Sequence, residues 1–141
     1  MEKIVIIILF SIYVSGCELI VIGTKADINM PELVSFDQNS ALGAIYLFKA
    51  ELDSNNVPAA TQLIAKPEGT AYLALERYEK YFDIYRIKRM ISSREITYIN
   101  SDTLTGGRMK YNLEFGYLRK MYFTALKIDN NWYITEMGSY E

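Results

Sequence analysis

The spacing of apolar residues changes near Arg94, and this change limits the folds open to the chain of 141 residues. Before Arg94 the apolar residues recur every three or four positions, which is the spacing of amphipathic helices. After it they alternate with polar residues, as they do in strands that have one buried face. Helices followed by strands, rather than interleaved with them, predict an α+β fold with an antiparallel sheet.

Three helices are predicted before the change in spacing. Asn39 or Ser40 can cap a first helix of about 13 residues, and Pro58 suits the first turn of a short second helix. Thr70 is a candidate cap for a third helix from Ala71 to about Ile91. The side of this third helix that we expect to face the core carries Ala74, Leu75, Tyr78, Tyr81, Phe82 and Tyr85. The charged residues predicted on the opposite side are Glu76, Glu79, Lys80, Asp83 and Arg86.

Four strands are predicted after the change in spacing. They cover Arg94 to Asn100, Arg108 to Phe115, Lys120 to Ile128 and Trp132 to Thr135, and Gly106-Gly107 and Asp129-Asn130-Asn131 supply turns. The second strand alternates strictly, which predicts one face in water. The third is apolar on both faces, as in a central strand covered on both sides.

The N-terminus reads as an export signal. Glu2 and Lys3 precede an apolar stretch from Ile4 to Val14, interrupted only by Ser11. As a helix it would reach roughly 17 Å, little more than half of a hydrocarbon core of about 30 Å. The stretch is therefore too short to span a membrane and is typical of a signal peptide.

Val14-Ser15-Gly16-Cys17 follows this stretch and contains the one cysteine of the chain. It resembles the lipobox of bacterial lipoproteins, with Val14 in place of the usual leucine. The resemblance implies that residues 1–16 are removed, that Cys17 carries diacylglycerol on its sulfur, and that residues 17–38 form a lipidated N-terminus and tether. Two or three acyl chains would hold the protein on a membrane far more firmly than a single chain.

Two other interpretations of the N-terminus stay open. Residues 4–22 could form one uncleaved membrane helix, although Glu18 would place a carboxylate inside it at a cost of about 1 to 3 kcal/mol. An ordinary signal peptidase could instead leave Cys17 as a free thiol. The resumed apolar run from Leu19 to Ile22 also departs from the polar tethers that lipoproteins usually have.

Composition excludes several classes of function. The net charge of −2 gives no basic field for nucleic acid. The chain has no histidine, and its one cysteine is assigned to lipid. Ser-His and Cys-His nucleophiles, imidazole bases and the usual zinc sites are therefore excluded, and we expect neither metal nor cofactor.

Residues 40–137 resemble the NTF2-like superfamily. The resemblance rests on Ser40-Ala41-Leu42-Gly43-Ala44-Ile45 at the start of the first helix, on Ala59-Ala60-Thr61-Gln62-Leu63-Ile64, and on the closing Leu126-Lys127-Ile128-Asp129-Asn130-Asn131-Trp132-Tyr133-Ile134. It implies a domain at residues 39–141 in which a curved antiparallel sheet wraps a long helix as a cone, with a pocket at the open end.

The resemblance leads us to expect a non-catalytic module, anchored in the cell envelope, that binds a ligand or a partner. The candidate pocket residues are aromatic, and they are Tyr78, Tyr81, Phe82, Tyr85, Tyr111, Tyr122 and Trp132. The alternative is an enzyme like ketosteroid isomerase, which would pair a carboxylate with tyrosine in the pocket, and Asp83 is the nearest candidate.

Several partners and locations follow from the same expectations. Besides the membrane held through Cys17, the partners that stay open are a small apolar ligand, an envelope protein docking on the strand face around Arg108, Lys110 and Glu114, and a second copy across the open sheet. Glu18 stands where an inner-membrane retention signal would have aspartate, so attachment to the outer membrane, facing the periplasm, is preferred over the inner membrane.

Overall fold

The computed structural model describes residues 34–140, which belong to a compact unit that covers residues 33–141. Three helices pack against a four-stranded antiparallel sheet, so the predicted α+β class is confirmed. The predicted signal peptide, Cys17 and the tether as far as residue 33 lie outside the described residues. Within the described residues, no helix is both long enough and apolar enough to cross a membrane.

The first helix begins at a predicted cap, and the second carries Pro58 in its first turn as predicted. Helix α1 (Ala41–Asp53) has 13 residues as predicted, and the Ser40 hydroxyl accepts a hydrogen bond from the backbone N–H of Gly43. Helix α2 (Val57–Gln62) is capped by Asn56 and carries its proline in the first turn. Both caps satisfy backbone N–H groups that have no partner within the helix.

Helix α3 (Ala74–Ile91) begins three residues later than predicted. Ala71 is extended because it forms an antiparallel bridge with Ala65, so Thr70 cannot cap the helix. Glu76 contributes to capping the N-terminus of α3 instead, since its carboxylate accepts a 2.8 Å hydrogen bond from the backbone N–H of Leu73.

The predicted core face of α3 is wrong. The residues that α3 buries are Ile84, Ile87 and Ile91, whereas Phe82 is 81% exposed and Tyr78 64% exposed on the other side of the helix. Both sides of α3 therefore carry an apolar stripe, one aliphatic and one mainly aromatic. The aliphatic stripe is the buried one, in keeping with the absence of polar atoms from isoleucine, whereas a buried tyrosine hydroxyl needs a partner.

The sheet is a meander in which each strand pairs with the next. Its strands are β1 (Ile96–Thr103), β2 (Arg108–Phe115), β3 (Arg119–Ile128) and β4 (Asn131–Ser139). Strand β2 has the predicted bounds. Strand β1 begins and ends later than predicted, β3 begins one residue earlier, and β4 extends further at both ends. Both predicted turns are confirmed, because Gly106, Gly107, Asp129 and Asn130 all adopt positive φ.

The core lies between the helices and one face of the sheet. Phe123 at its centre is fully buried and makes edge contacts with Phe48 of α1 (6.2 Å between ring centroids) and Phe115 of β2 (6.4 Å). The opposite face of β3 is only partly covered, since Thr124 is buried while Tyr122 and Leu126 are half-buried. The full two-sided burial predicted for β3 is therefore incomplete.

The segment after α2 runs along the outer edge of β4. Ile134 donates a backbone hydrogen bond to Leu63 (2.9 Å) and accepts one from Ala65 (2.9 Å), which makes a short parallel pairing. This pairing holds the connection between α2 and α3 beside the strand. A cleft opens where that connection, α3 and β4 meet.

Candidate functional site

The cleft beside β4 has a volume of about 380 Å³, which lies within the range of small-molecule sites. Its floor is apolar and consists of Ile64, Ile84, Ile87, Ile134 and Met137. Four of these residues are buried members of the core cluster, and Met137 packs against it. The floor is therefore held in place by the same contacts that hold the domain together.

One wall of the cleft is the ring of Tyr72, which two lysines approach. The ammonium groups of Lys66 and Lys80 stand 5.7 Å and 5.6 Å from its centroid, within the range of cation–π contacts. Lys66 is also paired with Glu76 at 2.8 Å, and this hydrogen bond raises the pKa of Lys66 and lowers the pKa of Glu76. Since Glu76 also binds the first turn of α3, this network joins the wall to the helix.

A second wall of the cleft is Tyr122, which reaches it from β3 across Gly138 of β4. The two residues pair across the strands, and a Cβ atom at Gly138 would stand 2.8 Å from the Tyr122 ring. Lys110 lies over the same ring, 4.9 Å from its centroid. A glycine inside a strand can mark the close approach of another group, and here that group is a wall of the cleft.

Charged groups surround the opening of the cleft. Arg86 and Asp83 approach each other only to 3.8 Å, and both side chains are more than half exposed. Glu136 accepts a long hydrogen bond of 3.5 Å from Thr124. Among residues 34–140, no carboxylate lies within 4.0 Å of Lys80. A molecule in the cleft would meet this ammonium group, which has no acidic partner within the described part of the chain.

Asp83 does not have the surroundings that carboxylate catalysis of the ketosteroid-isomerase kind needs. Its side chain is 57% exposed and lies beside the guanidinium of Arg86. That chemistry relies on a carboxyl group kept in an apolar site. The position of Asp83 at the charged opening therefore gives no support to the enzymatic alternative.

The aromatic residues predicted to line a pocket are not brought together. Tyr122 lines the cleft. Tyr78, Phe82 and Tyr85 are exposed along α3, and Tyr81 is half-buried against the core cluster.

The two remaining candidates lie on strands and have structural surroundings. Tyr111 packs against the core, where burial raises the pKa of its hydroxyl. Trp132 is half-buried on β4, donates its backbone N–H to Gln38 (2.8 Å) and accepts the Gln38 amide (2.9 Å).

The sequence prediction missed Tyr72, Lys80 and Gly138 as site residues. Tyr72 lies in the first turn of the predicted third helix but outside its aromatic side, and Lys80 belongs to its charged side, so neither was counted among the pocket residues. Gly138 was the one available signal for this site, because a glycine late in an otherwise β-forming strand indicates that another group approaches the backbone closely.

Within residues 34–140, no group of three or more Asp, Glu, His or Cys side chains is arranged to hold a metal ion. No protein-family model matches the chain. Searches of curated proteins and of solved structures also give no significant match.

Proposed function

We propose that this chain is a lipoprotein of the bacterial cell envelope whose domain is a non-catalytic binding module. The anchoring part of the proposal is supported by the short apolar stretch, the Val14-Ser15-Gly16-Cys17 motif and the uniqueness of that cysteine. Diacylglycerol on Cys17 would hold the protein on the membrane. Glu18 favours the outer membrane, facing the periplasm, over the inner membrane.

The NTF2-like assignment is part of the same proposal. It is supported by the order of elements, with α1, α2 and the longer α3 followed by a meander that closes on a tight turn at Asp129 and Asn130. A cleft between helix and sheet is the feature that a ligand-binding member of that superfamily would need.

The observation that carries the binding function is the cleft itself. An apolar floor is combined with two tyrosine walls and with the ammonium group of Lys80, which has no acidic partner among the described residues. Apolar surface would supply affinity, and one charge-assisted contact would orient the ligand. The ligand class that fits is a small apolar molecule with one acidic group.

Two fluorescent probes that differ in one acidic group test this proposal. The chain from Glu18 to Glu141 is titrated with 1-anilinonaphthalene-8-sulfonate and with the uncharged N-phenyl-1-naphthylamine. Lys80→Gln should weaken binding of the sulfonate by about threefold to fivefold, as expected for a partly exposed charge pair. It should leave binding of the uncharged probe unchanged.

Lys120→Gln is the matched control, because it removes an exposed cation on β3 that does not line the cleft. Equal losses in the Lys80 and Lys120 variants would mean that the sulfonate responds only to overall charge. The proposed ligand class would then be wrong.

A further inference from the structure

Helix α3 carries an apolar stripe on the side that faces away from the core. The stripe consists of Leu75, Tyr78, Phe82 and Tyr85, which are 73%, 64%, 81% and 48% exposed. Their spacing of three and four residues places them on one face over about 15 Å of helix. This is a regular surface rather than a scatter of single exposed residues.

The stripe is large enough to act as a binding surface. At about 200 Å² for a fully exposed aromatic side chain, the three rings alone present roughly 400 Å² of accessible surface, and Leu75 adds to it. Apolar patches of a few hundred Å² on soluble domains often mark interaction sites. The cleft proposed above does not use these side chains, since none of the four lines it.

The charges beside the stripe indicate what covers it. Glu79 and Arg86 flank it on the same side, seven residues or two helical turns apart. If two copies of α3 pack antiparallel around Phe82, Glu79 of each copy lies opposite Arg86 of the other.

We propose that the stripe is a self-association surface on which two copies of this chain pack their α3 helices antiparallel. A parallel pair would place the flanks that carry Glu79 and Arg86 on opposite sides of the contact, so these charges would not pair across it. The antiparallel pair has two-fold symmetry, the commonest arrangement of homo-oligomers. It uses the stripe on α3 rather than the open sheet face, and it does not depend on the proposed ligand.

The expected dimer is weak. Twice the exposed apolar area of the stripe is about 1,000 Å², which is the lower limit for a specific interface. The ion pairs at its edge contribute mainly to register and orientation, because exposed pairs add little affinity. Association should therefore respond measurably to single changes in the stripe or in its flanking charges.

Thiol cross-linking of the full chain in membranes tests the surface. Phe82→Cys places a thiol near the two-fold axis, and a short bismaleimide should join two copies. Tyr117→Cys is the matched control, because Tyr117 is 79% exposed but lies in the β2–β3 turn. The parent chain, which keeps Cys17, gives the background of cross-linking. If the Phe82 variant gives no more cross-linked dimer than the Tyr117 variant, the proposal is overturned. A lipid surface then becomes the better occupant of the stripe.

A charge exchange tests the antiparallel register in the Phe82→Cys chain. Glu79→Arg alone and Arg86→Glu alone should each lower the yield of cross-linked dimer, by about fivefold, since each converts attractive pairs into repulsive ones. The double variant restores both pairs and should recover the original yield. Failure to recover, with the far-ultraviolet circular dichroism of the folded domain retained, would contradict the proposed register.

Discussion

Alanine at Gly43 should destabilise the domain, although Gly43 lies inside a helix. Replacing a glycine inside a helix by alanine ordinarily stabilises a protein by about 0.5 to 1 kcal/mol. Here a Cβ atom would stand 2.7 Å from the carbonyl oxygens of Ser35 and Asp37 and 2.8 Å from the Ser40 hydroxyl oxygen. Two of these three atoms belong to the backbone, so a change of rotamer cannot relieve the contacts.

The segment that contains these carbonyls is also held from the other side. Gln38 accepts the backbone N–H of Trp132 and donates its side-chain amide to the Trp132 carbonyl. Moving the segment away would strain or break two hydrogen bonds worth about 0.5 to 1.5 kcal/mol each. Overpacking costs about 1 to 3 kcal/mol in addition. After subtraction of the helical gain, we expect Gly43→Ala to lower the free energy of unfolding by about 1 to 5 kcal/mol.

Urea unfolding of the chain from Glu18 to Glu141, followed by the fluorescence of Trp132, the one tryptophan, measures this effect. Gln38→Ala should cost less in the Gly43→Ala chain than in the parent, because the first change already loosens the clamp on Trp132. A more stable Gly43→Ala chain, or strictly additive losses, would refute the reasoning.

Two further predictions concern the start of α3 and the β3–β4 turn. The folded-state pKa of Glu76 is lowered, so its contribution to stability is fully present above the unfolded-state value near 4.5 and is lost as the pH falls through the folded-state pKa. Glu76→Gln should therefore lower the thermal midpoint at neutral pH, and that difference should vanish in acid. A difference independent of pH would contradict the network with Lys66 and Leu73. Asn130 has a φ of 73°, so Asn130→Gly should stabilise the domain by about 0.5 to 1 kcal/mol in urea unfolding, and a destabilised variant would show that the asparagine side chain matters more than backbone strain.

The sequence predicted the elements well where the signal was local. Three cues each act on their own segment: Ser40, Pro58 and the alternation from Arg108 to Phe115. At each of them the structure confirms the predicted boundary. The turn at Asp129 and Asn130 was also predictable, since these residue types tolerate positive φ.

The face of α3 could not be predicted, because the helix has two apolar stripes. Ile84, Ile87 and Ile91 occupy one side, and Tyr78 and Phe82 the other. A helical wheel identifies both stripes but does not say which of them meets the sheet. That choice depends on tertiary packing against α2 and the rest of the core cluster.

The cleft was beyond sequence reasoning for a related reason. Tyr72 and Tyr122 lie 50 positions apart in the chain and meet at one site only because the segment Leu63 to Ala65 pairs with β4. The glycine that admits Tyr122 signals a close approach, but it does not name the group that approaches.

The most direct measurement of the proposed anchoring is metabolic labelling with a clickable palmitate in a bacterial host. The full chain should incorporate the label and sediment with membranes, and a Cys17→Ala chain should do neither, because the acyl chains require that sulfur to start the modification. Equal labelling of the two chains, or none in either, would contradict a lipid anchor at Cys17 and, with it, the assignment of the protein to the cell envelope as a lipoprotein.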